Sequence, residues 1–160
     1  MHIESLRPPD GKLGFLTLLS FVLVSGGCSS VSEDEVARKV SPSGQLVAIL
    51  TEVDAGATAG FGYKVYIEAP NLGSSRKLVA HVYDARRNDQ AYGLDLKWLS
   101  SDRLSIEFYK ARWIDFLLFH AETQGQKVSI EVLYNRTNNS APSGGMLYNL
   151  EKLKEGAGSK

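Results

Sequence analysis

The side chains best equipped for chemistry in this 160-residue chain fall into three groups. The first is Asp54 to Thr58 (DAGAT), where a carboxylate and a hydroxyl bracket two alanines and a glycine. Such a loop can aim backbone N–H groups and the Asp54 and Thr58 side chains at a small ligand or cation. It can equally be a shaped turn, with Asp54 accepting from nearby amides and Gly56 supplying a positive φ. The composition favours the turn. A calcium loop needs oxygen ligands at alternate positions, and this stretch carries one carboxylate. The second group is Arg86 and Arg87 with Tyr83 and Tyr92 nearby, a small basic-aromatic loop that suits an anionic glycan or lipid headgroup. Two adjacent charges are, however, more often a solvated loop. The third group is His81 and His120, with Asp84, Asp115 and Glu122 as available carboxylates. Zinc needs three or four ligands, and no cysteine after Cys28 helps to complete such a set.

Nucleophilic catalysis finds little support. There is no Gly-x-Ser-x-Gly elbow and no Ser-x-x-Lys arrangement in credible context. Gly56, Gly60 and Gly62 do not precede a helix, as a phosphate-cradling loop would. No catalytic residue, metal or cofactor is therefore assigned. The enzymatic alternative is an envelope hydrolase using Asp54 with His81 or Asp84, which requires those side chains to converge in one cleft.

The elements that must carry these groups are strands. Leu46–Val53, Tyr63–Ala69, Lys77–Asp84, Leu94–Leu99, Arg103–Tyr109, Trp113–His120 and Lys127–Tyr134 are apolar or alternate with period two, separated by turn residues. Seven strands at regular spacing, with no βαβ alternation, predict an all-β domain. The expected form is an antiparallel meander closing as a sandwich or a strongly twisted sheet. Pro42, Ser43 and Gly44 form a turn feeding the first strand. Met146–Lys154 is expected to be a short amphipathic helix, and residues 155–160 a disordered tail.

Charge is balanced, with 18 basic and 18 acidic residues, so no long-range field points to nucleic acid. The chain has a single cysteine, Cys28, so an intrachain disulfide is excluded. Cys28 ends a distinctive stretch. Leu13 to Val24 is an apolar run of 12 residues, followed by Ser25, Gly26 and Gly27. Twelve residues fall short of the roughly 20 that a spanning helix needs, but match the apolar part of a signal peptide. The run resembles a bacterial lipoprotein signal, whose lipobox ends in two small residues and the cysteine that is acylated. Gly26, Gly27 and Cys28 match, whereas Ser25 stands where Leu is usual. The long n-region also departs, with Arg7 and Lys12 offset by Glu4 and Asp10. The resemblance implies a lipid on Cys28 and anchorage in the cell envelope. Ser29 after the cysteine implies sorting to an outer membrane, facing the periplasm, if the organism has one. The resulting layout is a signal over residues 1–27, a lipidated cysteine and tether over 28–40, and one domain over 41–154. The non-enzymatic reading is a binding or structural module with an envelope protein or glycan as partner. A secreted, soluble β domain is a further alternative.

Two weaker resemblances concern the domain. Val40–Leu50 (VSPSGQLVAIL) lies over Trp98–Phe108 (WLSSDRLSIEF) at a shift of 58, each copy a strand, a serine-rich turn and a strand. Ser41, Pro42 and Gly44 are similar to the turn of TolB-like β-propeller blades. A propeller needs about four to eight blades, so only the hairpin chemistry is implied. Asp54, Gly56, Ala57 and Thr58, followed by Tyr63–Ile67, resemble a group of small uncharacterised bacterial proteins and lipoproteins, which implies a fold class and no activity.

Overall fold

The computed structural model describes residues 31–56, 59–70 and 76–158. Cys28 and the signal-like run lie outside these residues, as do Ala57 and Thr58. The described chain is an all-β sandwich followed by one helix. Its strands are β1 (Ser32–Val40), β2 (Val47–Asp54), β3 (Gly62–Glu68), β4 (Lys77–Tyr83), β5 (Asp95–Ser100), β6 (Arg103–Glu107), β7 (Trp113–Leu117), β8 (His120–Thr123) and β9 (Gln126–Leu133), and its helix is α1 (Met146–Gly158). One sheet runs β1-β2-β3-β4-β7 and the other β5-β6-β9-β8. Among the described residues, no helix is long and apolar enough to cross a membrane.

The alternation within each strand places the core. Ala48 and Leu50 of β2, Tyr63, Val65 and Ile67 of β3, and Ala80 and Val82 of β4 meet Leu96, Leu104, Ile106 and Ile130 of the second sheet in one buried cluster. Phe108 is also fully buried there. β2 is covered on both sides. Ile49 points away from this cluster yet is completely buried, because its register partners Arg38 and Tyr66 are long side chains that lie over it.

Several expectations are corrected. Residues 32–40 are not a tether: they form β1, paired with β2 from Ser32↔Asp54 to Val40↔Val47. Five of the nine residues in SEDEVARKV are charged, which reads as solvated chain but equally suits an exposed edge strand. The hairpin is closed by Ser41, whose Oγ accepts from Leu46 N–H at 3.1 Å, with Gly44 at φ +73°. Trp113–His120 is not one strand. It splits into β7, in the first sheet, and the start of β8, in the second. That excursion lets β6 and β9 lie side by side in parallel, which interrupts the antiparallel meander. β8 and β9 form a tight hairpin through Gln124 and Gly125, at φ +52° and +76°. The helix continues through residues 155–158, where a disordered tail was expected.

Candidate functional site

The expected site residues do not converge. Asp54 is exposed at the end of β2, and its Oδ1 accepts the Gly56 N–H at 2.8 Å, with Gly56 at φ +100°. It is thus an Asx-type turn residue, the second of the two readings of this loop. His81 lies three residues along and two strands across from Asp54, roughly 14 Å by ideal strand spacing. Its Nδ1 sits 3.1 Å from Asp115 Oδ2, on the bulge that separates β4 from an even register with β7. Asp84 takes a left-handed φ of +50° just after β4, and its N–H donates to the Phe61 carbonyl at 2.8 Å. His120 is exposed, its Nδ1 3.4 Å from Ser129 Oγ. Among the described residues, no group of three or more His, Cys, Asp or Glu side chains could hold a metal ion.

Arg86 and Arg87 have separate fates. Arg86 donates to Tyr92 Oη at 3.1 Å and packs its guanidinium over that ring at 4.5 Å. Arg87 is only 8% exposed, and its Nε donates to the Tyr92 carbonyl at 3.0 Å. It braces the 85–93 loop and is withdrawn from any surface ligand. Asn88 ties the same loop to the next one. Its Oδ1 accepts from the Gln90 and Ala91 amides, and its Nδ2 donates to the Asn138 and Ala141 carbonyls. Asn138 then donates from Nδ2 to Asp95 at 2.9 Å.

This network leaves two open polar clefts on either side of residues 135–143. One is lined by Asp95, Lys97, Glu107, Asn135 and Asn138, the other by Asn88, Asp89, Gln90, Tyr109 and Ser143, and they share Thr137 and Asn139. The composition suits hydroxyl-rich or amide-rich ligands: many neutral donors and acceptors, three carboxylates balanced in part by Lys97 and Arg136, and one aromatic ring.

The most deeply buried acidic group is one that the sequence reading passed over. Glu52 is 4% exposed and points between the sheets, in the alternation of Ala48 and Leu50. Its Oε2 accepts from Tyr63 Oη at 2.8 Å and from the Met146 N–H at 2.7 Å, and its Oε1 lies 3.4 Å from the Leu147 amide. The carboxylate therefore caps the first turn of α1 from inside the sandwich. Burial, reinforced by the Glu52 charge, pushes the Tyr63 phenol far above its ordinary range, so it stays a donor. Gly145 makes room for this approach, since a Cβ there would stand 3.1 Å from Glu52 Oε1.

No family model matches the chain, and neither a curated protein nor a solved structure matches it.

A second polar cluster decorates the outer face of the first sheet. Glu33 of β1 accepts from Lys64 Nζ at 2.5 Å, Tyr66 Oη at 2.7 Å and Thr51 Oγ1 at 2.9 Å. Burial alone would raise the Glu33 pKa, but these donors outweigh it and hold the carboxyl below the ordinary value of 4.5. A depressed folded-state pKa adds stability above the unfolded value and loses it as pH falls through the folded one. Glu35 is lowered too, chiefly by its hydrogen bonds from Arg38. Urea unfolding midpoints should therefore drop as the pH falls below about 4.5, the unfolded-state value. Glu33→Gln should flatten that drop, and an unchanged slope would show that the Glu33 cluster contributes nothing to it.

Proposed function

We propose that this chain is a small lipoprotein, anchored through a lipid on Cys28, whose β-sandwich serves the cell envelope as a binding or structural module. The observation that carries the reading is the apolar run Leu13–Val24 leading through Ser25, Gly26 and Gly27 to the chain's single cysteine. The place where the sandwich begins supports it. β1 starts at Ser32, four residues after Cys28, so the domain would follow the anchor within about 14 Å of fully extended chain. Diacyl attachment is strong enough for stable anchorage, because each buried methylene contributes about 0.8 kcal/mol. In this reading the binding surface is the pair of polar clefts beside residues 135–143, with an envelope glycan or a polar protein loop as partner.

The test is metabolic labelling with an alkyne palmitate in the native host. The unsubstituted protein should carry label and sediment with membranes, and Cys28→Ala should lose the label and move to the soluble fraction. Label retained by Cys28→Ala would overturn the anchor. Unlabelled wild type in the culture medium would favour a secreted domain.

A further inference from the structure

The strand register brings one row of residues to the end of the sheet where the described chain begins. Glu33 pairs with Val53, Val53 with Gly62, Gly62 with Tyr83, and Tyr83 with Trp113. Trp113 thus stands at the same end as Ser32, four strand spacings or about 19 Å across the sheet. It is 47% exposed, although it stacks on Tyr83 with ring centroids 4.4 Å apart. Tyr83 is fixed in turn, its Oη accepting the Gly60 N–H at 2.7 Å. The stacked pair forms an aromatic ledge. Arg112 lies over the Trp113 ring at 5.0 Å, and Arg86, Lys110 and Arg112 line a cleft with one carboxylate, Asp84. Lys110 also meets Asp89 at 3.1 Å, but both are well exposed, so the pair is weak and Lys110 can exchange Asp89 for a lipid phosphate.

An exposed tryptophan flanked by arginine and lysine is the composition that settles at a bilayer's headgroup level. The ring takes the interface and the cations take anionic phosphates. The chain's own geometry supplies the bilayer. Cys28 is four residues before Ser32, so an acyl chain there would keep this end of the sandwich within about 14 Å of the membrane. We propose that Trp113 on its Tyr83 ledge, with Arg86, Lys110 and Arg112, is a bilayer-contacting surface that orients the sandwich end-on to an anionic membrane. The proposal rests on the Cys28 anchor. The surface adjoins the second polar cleft through Asp89, which both Arg86 and Lys110 contact, and leaves the first cleft, beside Asp95 and Glu107, to face a partner.

The second tryptophan provides a built-in control. Trp98 donates from Nε1 to the Lys39 carbonyl at 2.9 Å, near the far end of β1. Lys39 is seven residues beyond Ser32, about 23 Å further along the strand. The experiment uses the full acylated chain in vesicles of phosphatidylethanolamine and phosphatidylglycerol with brominated acyl chains. Cys28 acylation is measured on the same sample by mass spectrometry. Wild-type emission should fall by about half, the Trp113 share, while Trp113→Phe should keep its emission. Lys110→Glu combined with Arg112→Glu should restore most of the wild-type loss. Equal quenching of wild type and Trp113→Phe, with Cys28 acylated, would overturn the oriented contact and leave the anchor standing. Undiminished quenching in the charge-reversed variant would overturn the role of the cations. A chain without acyl groups on Cys28 would overturn the anchor and this inference together.

Discussion

Glu52→Ala should lower the unfolding free energy by about 3 kcal/mol, a large share of a small domain's stability. Two losses add. Tyr63, fully buried, would keep its hydroxyl but lose its acceptor, which costs about 1–3 kcal/mol. The first turn of α1 would lose the carboxylate that accepts from Met146, worth about 1 kcal/mol as a cap. Urea unfolding followed by circular dichroism reads both, because the helical signal should fray before the strand signal is lost. Tyr63→Phe removes the donor instead and leaves Glu52 its helix amides, so it should cost about 1 kcal/mol. The double variant should then cost less than the sum, as expected for residues in one network. A Glu52→Ala protein within about 0.5 kcal/mol of wild type would refute the cap, since that is the range of ordinary surface substitutions.

Glu52 also shows how far the sequence could be read. LVAILTEV is apolar at nearly every position, so its strand character was plain but its inward face was not. Only the pairing of β2 between β1 and β3 fixes Ala48, Leu50 and Glu52 as the inner set. Once that parity is known, a carboxylate on the apolar side demands buried donors, and they come from residues 11 and 94 positions away. No local pattern carries such a contact. β1 was missed for the opposite reason. Its charges resemble a tether, yet the Pro42–Gly44 turn that feeds β2 closes a hairpin, and a hairpin needs a strand on both sides. The Trp113–His120 run is apolar at most positions, a pattern that suits a central strand or the edge of a helix. In the fold it is an edge that changes sheets, with Ile114 and Leu117 packed inward and Trp113, Phe116 and Phe119 left exposed. Continuous hydrophobicity therefore accompanies partial exposure here, not burial on both faces. The DAGAT loop was more legible. An aspartate two residues before a glycine is a local turn signal, and Asp54 and Gly56 make that turn.

The other end of the helix junction rests on a glycine, and Gly93→Ala should cost about 3 kcal/mol. Gly93 takes φ +112°, a conformation nearly closed to residues with a Cβ. A Cβ there would also stand 2.4 Å from Met146 Sδ and 2.6 Å from its Cγ. Met146 is the residue whose amide Glu52 holds, so displacing its side chain pulls against the cap. Gly44→Ala gives the cost of an ordinary left-handed φ alone, a floor for the backbone contribution. Gly44 has φ +73° in the β1–β2 turn, but a Cβ there would meet nothing within 4 Å. It should cost only the left-handed strain, about 1 kcal/mol. Chemical unfolding of both variants gives the difference directly. If Gly93→Ala costs no more than Gly44→Ala, Met146 swings aside freely. The helix would then be positioned by Glu52 and its contacts with β1. If it costs the expected excess, and Met146→Ala in the same chain removes that excess, the 85–93 loop and the buried carboxylate grip the same residue from two sides. α1 is then fixed to the sandwich at its first turn, in addition to its contacts with β1.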